Sequence, residues 1–135
     1  MEATLSETIT PLIGSIGWID LTVENADQIR DFYRTVTGWK FTALDMGGYN
    51  DYCMDQPADG KSVTGICHKR DGNAALPSQW LIYITVADLE QSMGRCIEGG
   101  GKILAGPRNY AGQGQYCVIQ DPAGAVAALF EYSKV

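Results

Sequence analysis

The chain carries two similar segments whose positions differ by almost half its length. Residues 18–23 (WIDLTV) match residues 81–86 (LIYITV) at three of six positions when one segment is moved by 63 residues. Each segment leads into a stretch of helical character, and both stretches end at a glycine followed two residues later by lysine, at positions 38 and 100. A chain of 135 residues that repeats itself near its midpoint predicts two copies of one supersecondary unit. Two such units can enclose a cleft, and we expect the functional site there.

Hydrophobic periodicity predicts the same order of elements in both halves. Apolar residues alternate with polar ones over 16–23, as in a strand with one buried face, and they then recur with helical spacing. Asn25 and Asp88 stand at expected helix N-caps, and Gly38 can end the first helix in a left-handed conformation. The predicted elements are strand 16–23, helix 26–36, strands 39–44, 52–55, 62–69 and 80–86, helix 88–98, and strands 102–105, 115–120 and 125–132.

The order of these elements favours one fold class. A doubly wound parallel sheet would alternate strand and helix throughout, whereas this order is β-α-β-β-β, twice. We therefore predict an α+β fold of two βαβββ modules, whose cupped mixed sheet surrounds a small-molecule cavity. Residues 1–135 would form a single domain, with module one at about 15–69, a linker at 70–79 and module two at about 80–133.

Composition and charge restrict the partners of the chain. The formal net charge is −6, which argues against nucleic acid because nucleic-acid binding needs a basic face. No apolar run approaches the roughly 20 residues that cross a bilayer, and the N-terminus does not resemble a secretory signal. We expect a cytoplasmic protein whose cysteines are reduced and act as small apolar residues. The cysteines are Cys53, Cys67, Cys96 and Cys117.

Several short motifs share a family order and spacing. They are Trp18-Ile-Asp-Leu-Thr-Val23, Phe32-Tyr33 before Gly38-Trp39, Tyr83-Ile-Thr-Val-Ala-Asp88, Gly99-Gly-Gly-Lys102, and Asp121-Pro-Ala-Gly124 before the last strand. Together they resemble the vicinal oxygen chelate superfamily, which includes glyoxalase I, bleomycin-resistance proteins, fosfomycin-resistance enzymes and extradiol dioxygenases. The resemblance covers residues 15–133. It implies paired βαβββ modules that form a cup for a small molecule, often with a divalent metal at its floor.

The metal positions of that family are substituted in this chain. Metal-using members typically have histidines opening the first and fifth strands and a glutamate in the last strand. The resemblance places those positions on Trp18, Leu81 and Ala128, whose side chains offer no oxygen, imidazole or thiolate ligand. We therefore expect no metal at the usual place, and no other cofactor.

Aromatic and polar side chains would then line the cup. Aromatic rings stack on planar or cationic ligands, and a few polar groups orient them. The alternative is that these side chains only fill the space between the sheets. The expected ligand-binding residues are Trp18, Asp20, Tyr52, Leu81, Tyr83, Tyr110, Tyr116, Ala128 and Phe130.

Three further features are ambiguous, and none identifies a catalytic residue. Asp20 lies in mid-strand on the cup face, where it could orient a ligand amine, accept from Tyr83, act as a base, or make a structural hydrogen bond. His68 is the only histidine, and its basic neighbours indicate a solvated strand end rather than a catalytic group. Residues 106–114 would be a lid that closes Arg108 and Tyr110 over a ligand, or a simple connection.

Several functions are compatible with these observations. The first is a metal-independent small-molecule binding protein of the glyoxalase and bleomycin-resistance type, with an aromatic or cationic ligand. The alternative is a glyoxalase-like lyase, isomerase or dioxygenase that uses a metal or Asp20 acid–base chemistry. An accessory domain with no ligand of its own is a third possibility. The resemblance also implies a homodimer.

Overall fold

The structure, a computed structural model, describes residues 11–133. Within them it contains eight strands, two α-helices and one 3-10 turn at Asp71–Asn73. The elements are β1 Ile16–Val23, α1 Ala26–Thr37, β2 Lys40–Asp45, β3 Asn50–Asp55, β4 Ser62–His68, β5 Trp80–Thr85, α2 Leu89–Glu98, β6 Lys102–Asn109, β7 Gly114–Gln120 and β8 Val126–Tyr132. Among these residues, no helix is long and apolar enough to cross a membrane.

The chain forms two compact units with the same internal order. The first module is Trp18–Leu81, and the second module comprises the described residues on either side of it, 11–17 and 82–133. In the first, β2, β3 and β4 are antiparallel neighbours, and β4 pairs with β1 in parallel. In the second, β6, β7 and β8 are antiparallel neighbours, and β8 pairs with β5 in parallel. The predicted α+β class with two βαβββ modules is confirmed.

In each module one face of the sheet packs against the helix of that module. The core of the first module contains Leu21, Met54 and Ile66, with Ile29 and Tyr33 of α1 packed against it. The core of the second module contains Leu89, Cys117 and Leu129, with Ile84, Met93 and Ile119 beside them. The opposite face of each sheet carries the alternate residues of every strand. We call this second surface the helix-free face.

Local signals end or begin the elements as predicted in most places. Gly38 adopts φ 82°, and its N–H donates to the Arg34 carbonyl, so the glycine ends α1 as expected. The Asp88 carboxylate accepts from the Gln91 N–H at 2.9 Å and caps α2. Asn25 is the N-cap residue of α1, and its carbonyl accepts from the Ile29 N–H, but its side chain makes no capping hydrogen bond and its amide donates to the Gln28 side chain. The predicted N-cap position is therefore right, without a side-chain hydrogen bond at that position.

The segment predicted as a loop at 106–114 is mostly strand. β6 continues to Asn109, and a tight turn then leads into β7. β6 and β7 approach closely at Gly106, where a Cβ would lie 2.7 Å from the Tyr116 carbonyl oxygen. Only glycine, which has no Cβ, allows the two strands to come this close. The glycine and proline that indicated a loop thus lie within β6, at an irregularity of the register between Ala105 and Arg108.

Candidate functional site

The helix-free face of the second module gathers side chains from three neighbouring strands. Tyr83 of β5 is the register partner of Ala128 in β8. Tyr116 of β7 is the register partner of Phe130 in β8. Residues opposite one another in a sheet project from the same face. Four of the predicted ligand-binding residues therefore share this surface.

The rings on this face touch one another. Ring centroids are 6.1 Å apart for Tyr83 and Tyr116, and 6.4 Å apart for Tyr110 and Tyr116. Tyr110 lies 5.9 Å from Phe130, which lies 4.5 Å from Tyr132. These separations fall within the range of favourable aromatic pairs. We call the five residues Tyr83, Tyr110, Tyr116, Phe130 and Tyr132 the aromatic face.

The aromatic face has a buried floor and a more exposed rim. Ala128 and Phe130 are buried, Tyr83, Tyr116 and Tyr132 are partly exposed, and Tyr110 is 53% exposed. Burial raises the pKa of the Tyr132 hydroxyl, which keeps it protonated as a donor. Tyrosines offer ring surfaces for stacking and hydroxyl groups for hydrogen bonds. Such a surface can hold a flat molecule and orient it.

Tyr110 is positioned by the turn between β6 and β7. Its N–H donates to the Gly114 carbonyl at 2.9 Å, and its carbonyl accepts from the Gln113 N–H at 2.8 Å. The Ser133 N–H donates to the Gln113 carbonyl, which ties the turn to the residue following β8. The expected lid is therefore a hydrogen-bonded hairpin turn that presents the Tyr110 ring.

Arg108 adds a cation beside this face. It is the register partner of Tyr116 and therefore projects from the same side of the sheet. Within residues 11–133 its guanidinium makes no ion pair or hydrogen bond, and the residue is partly buried. The sequence indicated Arg108 only as part of a lid, and Tyr132 was missed although it lies two residues beyond Phe130 on the same strand face.

In the first module, Trp18 and Asp20 lie on the helix-free face. Asp20 is the register partner of Gly65 in β4. A Cβ on Gly65 would lie 3.4 Å from the Asp20 Cβ and 3.8 Å from the Trp18 ring. The absent side chain leaves room for both residues, which are partly exposed.

Tyr52 lies on the other side of the first sheet. It belongs to the core beneath α1 and is 4% exposed. Its hydroxyl donates to the Asp27 carboxylate at 2.5 Å, and that hydrogen bond is the main cause of its raised pKa. Tyr52 therefore does not share a surface with Trp18 and Asp20, and we leave it out of the candidate site. Leu81 is also buried, in the first module.

His68 lies in a polar cluster that the sequence did not reveal. Its Nδ1 is 3.5 Å from Asp51 Oδ1, and its Nε2 is 3.6 Å from Asp27 Oδ1. The Tyr49 ring packs edge-on against the imidazole at 5.6 Å. The histidine side chain is 19% exposed, so the expected solvated strand end is wrong. The cluster was hidden because its carboxylates come from separate elements.

The residues at the family's metal positions do not fit a divalent cation. Trp18, Leu81 and Ala128 carry no carboxylate, imidazole or thiolate. Across residues 11–133, no three His, Cys, Asp or Glu side chains are grouped so that they could hold a metal ion. We therefore assign no chemistry in this chain to a bound metal.

Two cysteines are expected to resist alkylation in the native protein. Burial, followed by the charges of Asp20 and Asp51, raises the pKa of Cys67 far above its usual range. Burial raises the pKa of Cys117 to about 11. Only the thiolate reacts, so at pH 8 iodoacetamide should label both residues far more slowly in native than in urea-unfolded protein, as measured by mass spectrometry.

Cys96, which is partly exposed on α2, serves as the internal control for reagent activity. Rapid labelling of Cys67 in the native protein at pH 8 would contradict this description of its surroundings.

The raised pKa of Cys117 also has a consequence for stability. Keeping the thiol neutral favours the fold at low pH, and this contribution is lost only as the pH rises from the usual thiol value towards about 11.

Comparison with known proteins identifies a family and a fold. The model of the Glyoxalase/Bleomycin resistance protein/Dioxygenase superfamily matches residues 15–129. The anthracycline biosynthesis protein DnrV of Streptomyces peucetius is 29% identical over 132 residues, covering 87% of this chain and 46% of DnrV. The chain spans about half the length of the curated relatives it matches.

Solved structures of low sequence identity share the fold. A methylmalonyl-CoA epimerase in complex with methylmalonyl-CoA and NH4+ has a TM-score of 0.56 at 16% identity, covering 92% of this chain and 98% of the epimerase. The methylmalonyl-CoA epimerase of Mycobacterium tuberculosis has a TM-score of 0.56 at 14% identity, covering 93% of each chain. The family match extends over most of the repeated βαβββ pattern. The chain belongs to the Glyoxalase/Bleomycin resistance protein/Dioxygenase superfamily.

Proposed function

We propose that this chain binds a planar, conjugated small molecule on the aromatic face, without a metal ion and without converting it. The observation that carries the proposal is the set of neighbouring rings on the sheet face opposite to the one that packs against α2. A flat ligand would stack on the partly exposed tyrosines, with buried Phe130 and Ala128 beneath them.

The substituted metal positions support the metal-independent part of the proposal. A ligand held by a cation would need donor atoms at Trp18, Leu81 and Ala128, whereas stacking needs only the rings. DnrV is named an anthracycline biosynthesis protein, and anthracyclines are planar polycyclic molecules. That name supports a conjugated ligand here. Asp20 and Trp18 stay predicted ligand-binding residues of the first module.

The neutral fluorophore N-phenyl-1-naphthylamine tests the proposal, because its emission rises in an apolar aromatic site. We expect saturable binding with one site per chain. Replacing Tyr110 by alanine should weaken binding about tenfold, since it removes a stacking ring and its buried area. Tyr110 is 53% exposed, so this variant is expected to fold. Dialysis against EDTA should leave the affinity unchanged.

Tyr49→Ala is the matched control, because Tyr49 packs on His68 and Arg70 in the first module. Its affinity for the fluorophore should stay within about twofold of the wild type, within the usual effect of a substitution away from the site. Equal weakening by Tyr49→Ala and Tyr110→Ala would refute binding on the aromatic face. Loss of binding after EDTA, restored by a divalent cation, would refute metal independence.

A further inference from the structure

We infer that the ligand of the aromatic face carries an anionic group, such as a carboxylate, sulfonate or enolate, and that Arg108 binds it. This inference rests on the proposed function and narrows its ligand class. It depends on the position of Arg108, on the absence of a partner for its charge among residues 11–133, and on the geometry of guanidinium recognition.

The position follows from the register of three adjacent strands. Arg108 in β6 pairs with Tyr116 in β7, which pairs with Phe130 in β8. Directly opposed residues project from the same face and lie side by side. A ring that stacks on Tyr116 would therefore have the guanidinium at its edge, where a substituent of the ring would project.

The charge of Arg108 is not used within the described part of the chain. Arg30 bonds Asp31 at 3.0 Å and lies 4.5 Å from the Phe41 ring centroid. Arg70 lies 3.8 Å from the Tyr49 ring centroid. Arg108 makes no comparable contact within residues 11–133, although it is partly buried. The charge of Arg108 is therefore available to an anionic ligand.

The nearest acidic residue along β8 is already engaged. Glu131 follows Phe130, so alternation directs its side chain to the opposite face. There its carboxylate accepts from the Leu89 N–H at 2.7 Å, at the start of α2. Glu131 thus does not compete for Arg108, and the cation stays available to a ligand.

The guanidinium suits a planar anion. It is charged at all physiological pH values and presents a rigid fork of donors that matches two oxygens of one group. Such charge-assisted pairs are about twice as strong as neutral hydrogen bonds. The rings of the aromatic face supply the stacking surface beside the guanidinium. The combination selects a conjugated ring that bears an acidic substituent.

Two fluorophores with the same rings test this inference. The first is 1-anilinonaphthalene-8-sulfonate, and the second is N-phenyl-1-naphthylamine, which lacks the sulfonate. Arg108→Met keeps an apolar stem and removes the charge. We expect it to weaken binding of the sulfonate about tenfold, the usual scale for a charge-assisted pair, and to leave the neutral fluorophore within about twofold. Arg108→Lys should retain part of the sulfonate affinity.

Arg95→Met is the matched control, because Arg95 is an exposed arginine of α2 in the same module. It should change neither affinity. An unchanged sulfonate affinity in Arg108→Met would overturn the inference, as would an equal loss for both fluorophores, which would indicate packing rather than charge. The Tyr110→Ala variant tests the proposed function separately. If it binds both fluorophores with unchanged affinity, the proposed function is refuted, regardless of the result for the Arg108 variants.

Discussion

Replacing Gly114 by alanine should lower the free energy of unfolding by about 3 kcal/mol, measured by urea denaturation. Gly114 opens β7 with φ 155°, and a Cβ there would lie 2.2 Å from the Glu131 carbonyl oxygen and 2.7 Å from the Phe130 ring. The carbonyl belongs to the paired strand and cannot move aside as a flexible side chain would. The strands must therefore separate at the edge of the aromatic face.

Gly112→Ala is the control in the same hairpin turn. Gly112 also has a positive φ, 77°, but a Cβ there would meet nothing within 4 Å. Only the backbone strain remains, which costs about 1 kcal/mol. Equal losses for the two variants would show that backbone conformation, rather than close strand approach, explains the glycine at position 114.

Met54→Ala should also destabilise the protein by about 3 kcal/mol in the same measurement. Met54 is fully buried in β3, within the core cluster of the first module that includes Leu21 and Ile66. Truncation removes its buried apolar surface and leaves a cavity that the sheet and α1 can only partly close. The substitution should lower the free energy of unfolding without altering the helix-free face, because Met54 lies on the face opposite to Asp20.

Met46→Ala is the matched control for the core substitution. Met46 has the same side chain but is 48% exposed in the turn after β2. Its replacement should change the free energy of unfolding by less than about 0.5 kcal/mol. A small effect of Met54→Ala, close to that of Met46→Ala, would contradict the description of this core.

The repeated fold was accessible from the sequence because its signals are local. Strand alternation around Leu21, the cap at Asp88 and the glycine after α1 each depend on a few adjacent residues. The limit of that reasoning appears on α1, where Phe32 and Val36 also lie at helical spacing but are exposed. Periodicity identifies the apolar stripe of a helix but not how much of it the sheet covers.

The candidate site was predicted less completely, because strand pairing decides which residues meet. The expected residues Tyr83, Tyr110, Tyr116 and Phe130 do share one face, as alternation within their strands allows. Tyr52 instead lies on the side of its sheet that packs against α1. Neighbouring positions in a strand project to opposite sides, so a shift of one residue reverses the predicted side. The polar cluster around His68 could not be predicted, because it combines residues far apart in the chain.

Alternate residues of β8 project to opposite faces of the sheet and have different roles. Ala128, Phe130 and Tyr132 lie on the helix-free face, whereas Leu129 and Glu131 contact the core and the start of α2. The even-numbered positions therefore do not contact α2. Related chains could therefore differ in the ligands they bind through one face of this strand, while the opposite face keeps its packing on α2.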